Sequence, residues 1–160
     1  MQTTYPIYIR PSKKTETKVL HFTLGMLLPE DQKLALNLET RTMSLLSNGP
    51  QLIVEQQLSA NEMYMIVPII EFFPHYCPYE VLLSHLYTKV VTTSSIEQCR
   101  KQLQEAQKCG AWQQELRPIR RAISSLRPKL CSFQLGISNV RERGCSLTGL
   151  PSYTQVCAGR

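Results

Sequence analysis

The sequence predicts an α+β domain: an N-terminal antiparallel β-sheet, three core helices with an extra helix inserted among them, and a C-terminal β-hairpin. Three observations carry this prediction. Asn48-Gly49, the strongest short hairpin signal, separates the partly alternating stretches "KLALNLETRTMSLL" and "QLIVEQQL". Ser59 with Glu62 three residues on forms a capping box ahead of Met63, Ile66, Val67 and Ile70 at helical spacing. Leu116, Ile119, Ile123, Leu126 and Leu130 then make one apolar helical stripe, and alternation around "RERG" follows it.

Taken in order, residues 1–33 read as an N-terminal arm with the first strand or strands, including the short β-like piece "YPIYI" and "KVLHFTLGMLL". Residues 19–58 together read as a small antiparallel sheet. The helix opened by Ser59 contains Pro68, which removes one backbone hydrogen bond and predicts a kink, and "PHYCP" ends it. Pro78 suits the first turn of a second helix, "YEVLLSHLY", with Glu80 near its positive dipole end. In residues 88–112, "TTSS" can cap a helix over 94–108 whose Ile96, Cys99, Leu103 and Ala106 share one face, closed by Cys109-Gly110. That face predicts packing on the domain or on a partner. In the helix 117–130, Pro118 is tolerated in the first turn, whereas Pro128 should end or bend the last. Residues 151–160 form a tail.

A hydrophobic fraction of 42% over 160 residues supports a real core and excludes wholesale disorder. No apolar run approaches the roughly 18 residues of a membrane span. The first residues lack the basic-then-apolar order of a signal peptide, so a cytoplasmic location away from membranes is expected. The six cysteines form no C-x-x-C pair and do not cluster with His21, His75 or His85, so structural, reduced thiols without metal or cofactor are expected. His75 beside Cys77 reads as structural too. Carboxylates are scattered, no glycine-rich phosphate loop appears, and no Ser/His/Asp or Cys/His spacing stands out. No catalytic site is expected.

Charge is more informative. The net charge is +6, yet residues 1–116 hold ten Lys/Arg against eleven Asp/Glu. The excess sits in Arg117, Arg120, Arg121, Arg127, Lys129, Arg141 and Arg143, opposed by Glu142 alone. A solvated face ordinarily mixes both signs; a basic stretch of this kind is the footprint of a polyanion partner. Arg117, Arg120, Arg121, Ser124 and Arg127 fall opposite the apolar stripe of the helix.

In this order the residues resemble the OmpR/PhoB-type winged-helix DNA-binding domain of bacterial response regulators. "LSANEMYMIVPIIEFFP" is similar to that family's L-[ST]-x-x-E first helix, and "CPYEVLLSHLY" to its second. "IRRAISSLRPKL" resembles V-x-V-H-I-x-x-L-R-x-K-L through Ile119, Ile123, Leu126, Arg127, Lys129 and Leu130. "ISNVRERGCSL" resembles the wing, I-x-T-V-R-G-x-G-Y-x-L, through Ile137, Val140, Arg141, Gly144 and Leu147. The likeness spans residues 34–148, so residues 34–150 are expected to form the winged helix-turn-helix domain with 88–112 as an insertion. Cys145 replaces Tyr, Glu142 replaces Gly, and Arg121 and Ala122 replace an apolar residue and His. A second alignment sets "VVTTSSIEQCRKQL" against the recognition helix of ToxR/CadC-type relatives, with Arg100 at an apolar position.

The resemblance implies a transcriptional regulator of the bacterial cytoplasm, without a receiver domain, that binds double-stranded DNA. Helix 117–130 would enter the major groove and the wing, 137–147, would lie on the minor groove and backbone. A helix fits the major groove, and Arg bonds guanine bidentately. Arg120, Arg121 and Ser124 are the base-reading candidates, with Arg117 and Ser124 alternatively on phosphate. Lys129 is a phosphate contact or solvated. Arg127 and Arg141 match family positions of the interface, and Arg143 can enter a narrow minor groove. RNA polymerase and a second protomer on DNA are the further partners in view. The alternative is a protein-interaction module of the same fold, whose basic face binds RNA polymerase or another regulator.

Overall fold

The computed structural model describes residues 18–48, 51–88 and 90–150. Gly49 of the expected hairpin turn, residues 1–17 of the expected arm and the tail 151–160 lie outside them.

The architecture is α+β. Strands β1 (Val19–Phe22), β2 (Gln32–Asn37), β3 (Thr42–Ser47) and β4 (Gln51–Gln57) form an antiparallel sheet in chain order. Its register sets Leu34 opposite Leu45 and Leu36 opposite Met43. With period-two alternation these four side chains share one face, and all are buried in the common core. β1 pairs with β2 along Val19↔Asn37 to Phe22↔Leu34, so the boundary expected at 33–34 falls inside β2 of a continuous sheet. "KLALNLETRTMSLL" is two strands, divided by a turn in which the Asn37 side chain accepts from the Glu39 and Thr40 amides.

Helix α1 (Ala60–Phe72) starts at the expected capping box: the Glu62 amide donates to Ser59 Oγ at 3.2 Å and the Ser59 amide to Glu62 Oε1 at 2.7 Å. The helix runs on through Pro68, which is buried with Met65, Ile66 and Ile69 around it. A two-residue strand, β5 (Cys77–Pro78), precedes α2 (Tyr79–Tyr87) and pairs with the C-terminal hairpin. Within the expected insertion, α3 (Thr93–Lys108) is capped by Thr92, whose hydroxyl accepts from the Ser95 amide at 3.1 Å. Its buried face is Ile96, Cys99, Leu103 and Ala106. It packs on α2, with Ser84 and Ser95 hydroxyls 2.7 Å apart and Arg100 3.6 Å from Glu80. The segment therefore belongs to the core of this domain.

A four-residue helix, α4 (Trp112–Glu115), leads into α5 (Arg117–Cys131), which continues past Pro128 to Cys131. Pro128 does not end the helix there. One backbone bond is forgone, while Leu126, Leu130 and Phe133, all fully buried, hold the last turns in place. Strands β6 (Leu135–Val140) and β7 (Gly144–Gly149) form the hairpin, in a three-stranded antiparallel sheet ordered β5-β7-β6. Among the described residues, no helix is long and apolar enough to cross a membrane.

Candidate nucleic-acid interface

Helix α5 is strongly two-faced. Ile119, Ala122, Ile123, Leu126 and Leu130 are buried, while Arg117, Arg120, Arg121, Ser124, Ser125 and Arg127 are exposed. The three-and-four spacing of the apolar residues dictates this, because burying that stripe turns every intervening position outward. Arg121, at a position the resemblance reserves for an apolar residue, is exposed; Ala122 beside it takes the buried place.

The outer face is concave. Arg117, Arg120, Arg121, Ser124 and Ser125 line an open depression of about 620 Å³ together with Gln113 from α4. The Arg120 Nη1 donates to Gln113 Oε1. Ser125 Oγ donates back to the Ala122 carbonyl at 3.0 Å. Two of these lining residues, Gln113 and Ser125, fall outside the expected set. Ser125 follows Arg121 by four residues and so sits on the same exposed side; Gln113 rides on a helix too short to leave a periodic signal.

The hairpin contributes Arg141 and Arg143, both exposed at its tip. The three-residue loop carries Glu142 at φ 60°, and the Arg143 amide closes back on the Val140 carbonyl at 2.9 Å. This left-handed position is one where glycine is usual in short hairpin loops, which explains why the resembling pattern has Gly where this chain has Glu142.

Arg127 and Lys129 do something different from the rest. Arg127 Nε donates to the Ile137 carbonyl at 3.3 Å, joining α5 to β6 while its side chain stays exposed. Lys129 is partly exposed, yet its ammonium is held by the protein. Its ammonium bonds Glu62 Oε1 at 2.7 Å and the Gln57 carbonyl at 2.9 Å. Two of its three donors are thus taken by groups at the end of β4 and the start of α1. Glu62 is only 2% exposed, so its charge needs that partner. By contrast, Arg117, Arg121, Arg141 and Arg143 make no ion pair among the described residues.

Burial raises the Glu62 carboxyl, but the hydrogen bonds from Lys129 and the Ser59 amide outweigh it and leave the group below its ordinary 4.5. A lowered folded-state value means that the pair stabilises above about pH 4.5 and that this contribution is lost as pH falls through the lower, folded-state value. Lys129→Ala should lower stability by about 2 kcal/mol, or the melting temperature by roughly 4–8 °C. This is less than for a fully buried pair because water reaches the lysine. The gap between wild type and variant should narrow in melts recorded well below that pH; a gap of constant size would mean that the ion pair is not its source.

Of the described cysteines, Cys77, Cys99 and Cys145 are buried, Cys131 is half-buried and Cys109 is exposed. Cys77 and Cys145 face each other across β5 and β7, and Cys99 is buried in α3. Burial pushes all three thiols up, Cys145 to about 11. Among the described residues no group of three or more His, Cys, Asp or Glu side chains is placed to hold a metal ion. No protein-family model matches this chain, and no curated protein or solved structure matches it at a significant level.

Proposed function

We propose that this chain is a sequence-specific regulator of transcription that binds double-stranded DNA through a winged helix-turn-helix. In this reading α5 is the recognition helix in the major groove, and β6–β7 is the wing on the minor groove and backbone. One observation carries the reading: the exposed side of α5 and the tip of the adjoining hairpin hold the chain's excess of arginines, with no acidic partner among the described residues. A duplex presents paired rows of phosphate flanking a groove of helix width, and this exposed basic helix with a basic tip beside it suits both. The rival placement of the recognition helix at α3 is disfavoured, since its exposed face mixes Lys101 and Lys108 with Glu105 and Arg100 pairs with Glu97 at 2.7 Å.

In this role Arg120, Arg121 and Ser124 read bases, and Arg117, Arg141 and Arg143 meet phosphate or the minor groove. Lys129 is withdrawn from the contact set by Glu62. If Arg117, Arg141 and Arg143 neutralise phosphates, log K should fall with log salt at a slope of roughly −3. Anisotropy titrations of genomic duplex fragments across salt measure it. A flat response sinks the reading. Arg121→Ala should lose roughly 1–3 kcal/mol on the preferred site and much less on random duplex. An equal loss on both would reassign Arg121 to phosphate.

A second reading is a protein-interaction module on the same fold, whose basic face binds the partner, with a further exposed surface available to it. Tyr87 is exposed and lines a groove of about 330 Å³ with Thr88, Ser95, Gln98, Cys99 and Gln102, where α2 meets α3. RNA polymerase or another regulator would be the partner, and a duplex-independent pull-down would favour it.

A further inference from the structure

We infer that Gln113, carried into the interface by α4, is a specificity-determining positioning residue that aims the Arg120 guanidinium at one base pair. The inference rests on the DNA-binding reading above and deepens it.

Gln113 is not a random neighbour of the arginines. Its mount, α4, is only four residues long but is fixed on three sides. Trp112 packs edge-on against Tyr79 at a centroid distance of 6.1 Å and an interplanar angle of 81°. Glu115 Oε2 accepts from Gln102 Nε2 on α3 at 3.4 Å. Leu116, next in sequence, is fully buried. A long arginine on a solvated helix face ordinarily samples many rotamers, and ordering it on binding subtracts from affinity. Here Gln113 Oε1 already accepts from Arg120 Nη1. That leaves the Nε–Nη2 edge of the guanidinium free, and a fork of two parallel donors is what guanine O6 and N7 accept. Gln113 itself lines the depression, and its amide nitrogen carries two further donors.

The short helix α4 therefore takes part in recognition through Arg120 and not merely in packing. Selection from a library of randomised duplexes tests it, with wild type, Gln113→Ala, Arg120→Ala, the double variant, and exposed Gln114→Ala as control. Arg120→Ala should erase preference at one base pair. Gln113→Ala should reduce preference at that same pair by about tenfold, and the double variant should be no worse than Arg120→Ala alone. A structural role alone would lower the melting temperature and weaken every sequence alike. Undiminished preference in Gln113→Ala, or losses that multiply in the double variant, would overturn the inference and leave the DNA-binding reading standing. No enrichment with wild-type protein would overturn both.

Discussion

Gly144→Ala should detach the C-terminal hairpin from the helices and lower stability by roughly 3 kcal/mol, about 10 °C in melting temperature. A Cβ on Gly144 would lie 1.9 Å from the Cys77 carbonyl oxygen, 2.7 Å from its carbon and 2.9 Å from Pro78 Cα. All three are backbone atoms, so no side-chain rotation relieves the clash. Relief requires β5 and β7 to separate, which forfeits their pairing and the bond from the Tyr79 amide to the Arg143 carbonyl at 3.0 Å. Tyr79 in turn supports Trp112, so loosening should spread to α4. Gly25→Ala, where a Cβ meets nothing within 4 Å, should stay within about 0.5 kcal/mol of wild type. If Gly144→Ala matched that control in urea melts, the tight β5–β7 approach would be wrong.

Gly144 also marks the limit of what local sequence conveys. In "RERG" it reads as a turn glycine, yet the left-handed turn position belongs to Glu142 and Gly144 is a buried strand residue. Its requirement comes from Cys77, far along the chain, and no local pattern encodes that approach. β5 is hidden for a related reason: two residues are too few to show alternation, and "PHYCP" reads as a turn between helices. Elements with a long apolar period were legible. The four-stranded sheet, the Ser59 capping box and the buried stripe of α5 all follow from spacing that burial then enforces.

The basic side chains were legible as a cluster but not in their individual duties. The spacing puts Arg117, Arg120, Arg121, Ser124 and Arg127 outward, and they are outward. Lys129 carries the same charge on the same helix, but it lies over the capping carboxylate of α1 and is occupied by it. The partner, Glu62, is 67 residues away in sequence, and a capping glutamate is ordinarily solvated. Only the packing of α5 across the start of α1 reveals the pair. Gln113 is the converse, a neutral residue with no sequence signal that reaches the arginine cluster because α4 turns beneath it.

Reversing the charge of Arg117, Arg120 and Arg121 together to Glu should reduce duplex affinity by at least about 100-fold and make the salt slope shallower by about one, the share of Arg117. The same change should not destabilise the fold. Helix α5 has no acidic residue in its first turn and three arginines in its first five positions, although the amide dipoles there favour negative charge by about 0.3–1 kcal/mol per group. The arrangement therefore works against the helix that carries it. Glutamates at exposed positions would touch none of the buried stripe, and Arg117→Glu would place an acid where the dipole favours one. Affinity and stability should consequently move in opposite directions, with the melting temperature equal to or above that of wild type. A fold kept only by packing has no reason to hold repelling arginines at the positive end of a helix; a surface selected to meet phosphate has one. Retention of duplex affinity within about threefold in the reversed variant would refute that account of α5. Loss of both affinity and fold would show instead that the arginines hold the domain together.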